Sequence, residues 1–91
     1  MKVVWTNTAI EHLQAIHDYI ARNSTLYANR VIEQLLSRSQ QIAEFPYSGR
    51  TVPEFQDKSI REVISRPYRI IYRIKANQID VLAVVHSSQQ F

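Results

Sequence analysis

The chain has 91 residues with one glycine, no cysteine and a net charge of +3. At roughly 100–150 residues per domain it is a single small domain. The missing cysteines exclude disulfides and cysteine zinc sites, the lone glycine excludes a Rossmann fingerprint or a P-loop, and no apolar run nears the ~20 residues of a membrane span.

In chain order, Lys2–Trp5 is a short apolar run that predicts a strand, with Trp5 closing a sheet edge. It is too short for a secretory signal. Thr6-Asn7-Thr8 supplies cap residues, and Thr8 with Glu11 has capping-box spacing. Ile10, Leu13, Ile16 and Ile20 recur at the helical period, so residues 8–22 read as an amphipathic helix. Asn23-Ser24-Thr25 breaks that helix and can cap the next. Ala28, Val31, Ile32, Leu35, Leu36 and Ile42 set a longer helix over 25–44, and the adjacent Leu35 and Leu36 suggest close packing on a sheet. So short a link predicts an antiparallel helix hairpin.

Phe45-Pro46 ends the second helix, and Gly49 is placed to permit a left-handed turn. Residues 46–59 show no periodicity and read as a long loop of functional length. Three strands follow: Ile60–Ser65, Tyr68–Lys75 and Ile79–Val85. In the second, Tyr68, Ile70, Tyr72 and Ile74 alternate with Arg69, Ile71, Arg73 and Lys75. The third is apolar throughout, as a strand buried on both faces would be. The order is α+β: an N-terminal strand, then a helix hairpin covering one face of an antiparallel sheet completed by the three C-terminal strands. The opposite face is then expected to show Arg69, Arg73 and Lys75 beside Ile71, a basic and apolar surface suited to a partner.

The charge is unevenly spread. Residues 46–75 carry seven basic groups against three acidic ones, whereas residues 1–45 balance at four and four. Five of those seven cations are arginine, which forks onto phosphate or carboxylate, so an anionic partner is one reading and a solvated, internally paired surface the other.

Among candidate reactive groups, His12 and His17 stand five apart, outside the spacing of three or four that places two zinc ligands on one helix face. Ser24 and Ser48 have no neighbouring base, so no hydrolase triad is expected. Tyr68 and Tyr72 could stack on bases, but their shared face with Ile70 and Ile74 marks them as core. Glu54 is expected to pair with Arg50 or Arg61, a contact worth about 0–1 kcal/mol at a surface.

Taken together, Phe45-Pro46-Tyr47-Ser48-Gly49-Arg50-Thr51-Val52-Pro53-Glu54, Ile60-Arg61-Glu62, Tyr68-Arg69-Ile70-Ile71-Tyr72-Arg73 and Val84-Val85-His86 resemble the RelE/ParE toxins of type II toxin–antitoxin modules. The resemblance spans essentially the whole chain. The Phe45–Glu54 loop, the Ile60-Arg61-Glu62 strand start and the Val85-His86 ending look closer to the ParE branch. It implies a cytoplasmic toxin that needs no cofactor, is held inactive by a cognate antitoxin, and can enter a higher-order toxin–antitoxin oligomer. ParE-like members inhibit DNA gyrase without catalysing a reaction themselves. RelE-like members cut messenger RNA on the ribosome. If this chain were such a ribonuclease, Arg61 and Arg69 would hold phosphate while Glu54 or His86 exchanged protons. RelE-like nucleases place further basic or tyrosine residues near the C-terminus, and Ser87-Ser88-Gln89-Gln90-Phe91 offers neither. A third possibility is an inactive member that only binds its antitoxin.

Overall fold

The computed structural model describes residues 1–89. It contains β1 (Lys2–Trp5), α1 (Asn7–Ala21), α2 (Thr25–Glu44), a 3₁₀ turn (Pro46–Ser48), β2 (Arg50–Thr51), β3 (Ile60–Ser65), β4 (Tyr68–Ile74) and β5 (Gln78–His86). The five strands form one sheet in the order β1-β5-β4-β3-β2. β3, β4 and β5 make the expected antiparallel meander. The N-terminal strand joins it in parallel to β5, with Val3 opposite Ile79 and Trp5 opposite Val81, so the sheet is mixed rather than wholly antiparallel. The unperiodic stretch after α2 holds a fifth strand, because Arg50 and Thr51 pair with Glu62 and Arg61 at the far edge. Two residues are too few for alternation to show in a sequence.

Both helices begin where a hydroxyl can accept an orphan N–H. Thr6, not Thr8, caps α1: its Oγ1 accepts from the Ala9 N–H at 3.2 Å and donates to the Val81 carbonyl at 2.8 Å. The same residue thus starts the helix and pins it to β5. Ser24 caps α2 by accepting from the Tyr27 N–H at 3.0 Å. The two helices pack together as a hairpin over one sheet face, linked by a bond of 2.8 Å between His17 Nε2 and Asn29 Oδ1. Leu35 is buried and belongs to the core, whereas its neighbour Leu36 is largely exposed, so α2 packs on one side only.

The main core lies between the hairpin and the sheet, around Leu35, Ile42, Val63, Ile70, Tyr72 and Val81. Tyr68 and Ile74 pack against it, as the alternation in β4 requires. A second, smaller core occupies the other face, where Val52, Ile60, Ile71 and Ala83 meet Phe55, Leu82 and Val85. Residues 52–59 therefore cross the sheet as a third layer. β5 serves both cores through a bulge: Tyr72 faces Val81 and Ile71 faces Ala83, leaving Leu82 as the extra residue.

Tyr72 ties the loop to the sheet. Its hydroxyl donates to the Pro46 carbonyl at 2.6 Å and accepts from the Gly49 N–H at 3.2 Å. Gly49 is extended at φ −73°, ψ 153°, so it makes no left-handed turn. Glycine is needed there for space, because a Cβ would strike the Tyr72 hydroxyl and stand 2.7 Å from the Glu62 carbonyl oxygen.

Two outcomes follow from these contacts. Tyr72→Phe keeps the apolar burial but strips the Gly49 N–H and Pro46 carbonyl of their partner. It is expected to lower stability by about 1–3 kcal/mol in urea unfolding. The second concerns Asp80, whose carboxyl is held below its ordinary value by the bond from Lys75 Nζ at 2.7 Å and then by Gln78. A depressed folded-state value gives stability that is present above the unfolded value and lost as pH falls through the folded one. Urea midpoints should therefore drop between pH 5 and about pH 3 by more in the wild type than in Asp80→Asn.

Candidate functional site

The charged heart of the second face is built on Arg69. It follows Tyr68 in β4, so alternation turns it away from the helices and toward residues 52–59. It was expected on an open surface, yet it is only 4% exposed. Burying a guanidinium requires carboxylates, and two are supplied. Glu62 comes from β3, opposite Ile71 and so diagonal to Arg69 on the same face. Its Oε1 accepts from Arg69 Nη1 at 2.7 Å, and Oε2 is taken by Arg50 Nε. Glu54 comes from the crossing loop and accepts from Nη2 at 2.6 Å and from Nη1 at 3.3 Å. The backbone carbonyl of Gln89 closes the remaining side of Nη2 at 2.6 Å. The bond from Glu54, together with Glu62, holds the guanidinium protonated above the ordinary arginine value against the opposing effect of burial. A cavity of about 380 Å³ opens beside this cluster, bordered by Arg50, Pro53, Glu54, Arg69 and Ser88.

Glu54 thus pairs with Arg69 and not with Arg50 or Arg61. Arg61 points to the other side of β3. It donates to the Gly49 carbonyl at 3.0 Å and the Lys58 carbonyl at 3.1 Å and lies 5.0 Å from the centre of the Tyr47 ring. His86 ends β5 opposite Tyr68, with the two rings edge to face at 6.1 Å. It too stands on the helix side, where its Nδ1 lies 2.8 Å from Ser88 Oγ. The four candidates are therefore split by the sheet: Glu54 and Arg69 on one face, Arg61 and His86 on the other.

The expected partner face is corrected in the same way. Arg69 and Ile71 are buried under residues 52–59, while Arg73 and Lys75 remain exposed at the end of β4, Lys75 paired with Asp80. Glu62 was missed as the centre of the site. The available signal was its sign: a glutamate in one strand and an arginine in the next, on the same face of a hairpin. His12, set aside as a metal ligand, bonds β5 instead, its Nδ1 accepting from the Val84 N–H at 3.1 Å. Among the described residues there is no cluster of three or more metal-ligating side chains, and no helix is long and apolar enough to cross a membrane. Gln90 and Phe91, the end of the tail contrasted with RelE-like nucleases, lie outside the described residues.

A helix hairpin on a five-stranded mixed sheet is a fold this chain shares with solved ParE and YoeB/ParE toxins. Residues 3–91 match the family described as the ParE toxin of the type II toxin–antitoxin system parDE, and the chain belongs to that family. It is 33% identical over 89 residues to toxin RelE2 of Caulobacter vibrioides, covering 97% of each chain. Its fold is similar to that in a structure titled as a chromosomal ParDE TA system from P. aeruginosa, with a TM-score of 0.78 at 21% identity over 94% of this chain and 95% of that one. It is also similar to a YoeB/ParE toxin from Agrobacterium tumefaciens, with a TM-score of 0.65 at 16% identity over 94% and 98% of the two chains.

Arg69→Ala would leave Glu62 buried without its main partner. A loss of about 3–5 kcal/mol is expected in urea unfolding. Glu54→Ala, which removes the outer carboxylate but leaves Glu62 on the guanidinium, should cost less, about 1–3 kcal/mol.

Proposed function

We propose that this chain is a ParE-like toxin that inhibits DNA gyrase by binding it, in the cytoplasm, and that a cognate antitoxin encoded beside it neutralises it. One observation carries the choice of target. The arginine that would hold a phosphate in a ribonuclease is buried and its charge is cancelled by Glu62 and Glu54. A transition state gaining negative charge draws little stabilisation from a cation already paired twice. The other two candidates, Arg61 and His86, stand across the sheet from it. What remains is a surface that acts by contact, and the match to the ParE family supports the same reading.

A second reading has its own support. The similar Caulobacter protein is named RelE2, and a cavity does open on Glu54 and Arg69. In that reading the target is the ribosome with its messenger RNA, and Arg69 would exchange one carboxylate for a phosphate.

Inducing the chain alone in a bacterial host, with pulse labelling of DNA and protein synthesis, separates the two. Early loss of DNA synthesis with translation continuing is expected, together with reduced supercoiling by purified gyrase. Early loss of translation with cut messenger RNA would overturn the gyrase reading. Growth untouched by strong expression would leave an antitoxin-binding protein without toxicity.

A further inference from the structure

The outer face of α2 carries a polar trench that takes no part in the arginine cluster or the hairpin contact. β2 pairs only with Arg61 and Glu62, so Ile64 and Ser65 of β3 stand beyond it at an open edge of the sheet. α2 passes beside that edge, and a cavity of about 300 Å³ opens between them. Its walls are Arg30, Gln34, Ser37, Arg38 and Gln41 of α2 and Ser65 of β3. The α2 positions recur at steps of three and four, which gathers them on one helix face. Glu33 is the one carboxylate at this trench among the described residues.

Its cations are free to take an anion. Arg38 is fixed at the rim, where Nε donates to the Ile64 carbonyl at 3.4 Å and Nη1 to Gln41 Oε1 at 2.8 Å. Its Nη2 has no partner among the described residues. Arg30 is exposed, and its guanidinium makes no ion pair or hydrogen bond among them either. Arg66 follows Ser65 in the turn to β4 and is equally exposed and unpaired. Arg50 and Arg69 differ, because each already holds a carboxylate. Three arginines against Glu33 leave the trench positive.

The other side chains narrow the class of anion. Among the described residues no apolar or aromatic side chain lines the trench. A protein partner is anchored by apolar and aromatic contacts, and a single strand stacks its bases on aromatic rings. Arginine, serine and glutamine are the groups that hold the phosphate oxygens of a duplex. With a rise of about 1.5 Å per residue, Arg30 and Arg38 stand about 12 Å apart along α2, or three to four nucleotides of one strand at about 3.4 Å each.

We propose that the outer face of α2, with Ser65 and Arg66, binds the phosphate backbone of duplex DNA without reading its sequence. The assignment rests on the charges and side chains of this trench, and not on the choice between gyrase and ribosome.

The test titrates the full chain into a fluorescent DNA duplex of about 20 base pairs and follows anisotropy between about 50 and 200 mM salt. Three phosphate contacts predict a dissociation constant of about 1–100 µM at physiological salt, with log affinity falling against log salt at a slope of about −3. Arg30→Gln and Arg66→Gln remove no bond within the fold, which thermal melting checks. Each of them, and Arg38→Gln, should weaken binding roughly 3- to 10-fold and flatten the slope by about 1. Glu33→Gln removes a repelling charge and should tighten binding by about 2-fold or more. Arg73→Gln, which alters an exposed cation on the other sheet face, should change it by less than about 2-fold. An equal loss in Arg73→Gln would mark an effect of net charge alone and overturn the trench. No binding at about 50 mM salt would overturn it too. So would tighter binding of single-stranded DNA or RNA of the same length, or equal binding of poly-glutamate, which would place a single strand or an acidic protein there instead.

Discussion

A buried guanidinium holds the second layer of this protein together. Arg69 lies in the middle strand of the sheet with almost no contact with solvent, and a cation in that position needs carboxylates close by. Glu62 is brought by strand register. Glu54 has to be brought by the loop, and with it come Val52 and Phe55, which close over Ile71 and Ala83. The ion cluster and the small apolar core therefore require each other. The core shields the Arg69–Glu62 pair from water, and the bonds from Arg69 to Glu54 hold the irregular backbone that roofs the core. The Gln89 carbonyl bonds Arg69 and Arg50 bonds Glu62, so the tail and the short edge strand are attached to the same centre, while Arg69 Nε has no hydrogen-bond partner among the described residues.

This arrangement changes what the basic segment means. Seven cations in residues 46–75 read as a patch for an anionic partner. In the folded chain Arg69 and Arg50 are matched by Glu62 and Glu54, Lys75 is matched by Asp80, and Arg61 is spent on carbonyls and the Tyr47 ring. Lys58, Arg66 and Arg73 make up the exposed remainder. Formal charge counts protons, whereas a field at a surface depends on where the opposite charges sit. Four Tyr and Phe rings among the described residues are exposed instead: Tyr19 on α1, Tyr27 on α2, and Phe45 and Tyr47 just after α2.

The legible parts of the sequence were those with a local cause. The two helices were set by their apolar period, the hairpin by a short link with Ser24 as cap, and the three C-terminal strands by alternation and turn residues. The burial of Tyr72 followed from its neighbours at two-residue spacing. The misread parts had distant causes. Thr8 has good capping-box spacing, but Thr6 prevails because its hydroxyl also bonds to the carbonyl of Val81. Gly49 looked like a turn residue, yet it is the Tyr72 hydroxyl, 23 positions away, that leaves no room for a side chain. β1 gave no sign of its direction, since a four-residue strand pairs equally well by pattern in either sense.

By itself the sequence determined the two helices, four of the five strands and the α+β class, because period, capping and turn chemistry act between residues close in the chain, while the order of its motifs carried the resemblance to the toxin family. Only the tertiary structure decided that β1 runs parallel to β5, that a loop covers the second face, and that Arg69 is a buried, carboxylate-paired ion rather than an exposed charge. The pattern of alternation assigns each strand residue to a face, but it cannot say what covers that face. The cover comes from residues with no period of their own, and it is held there by a carboxylate 15 positions from its partner.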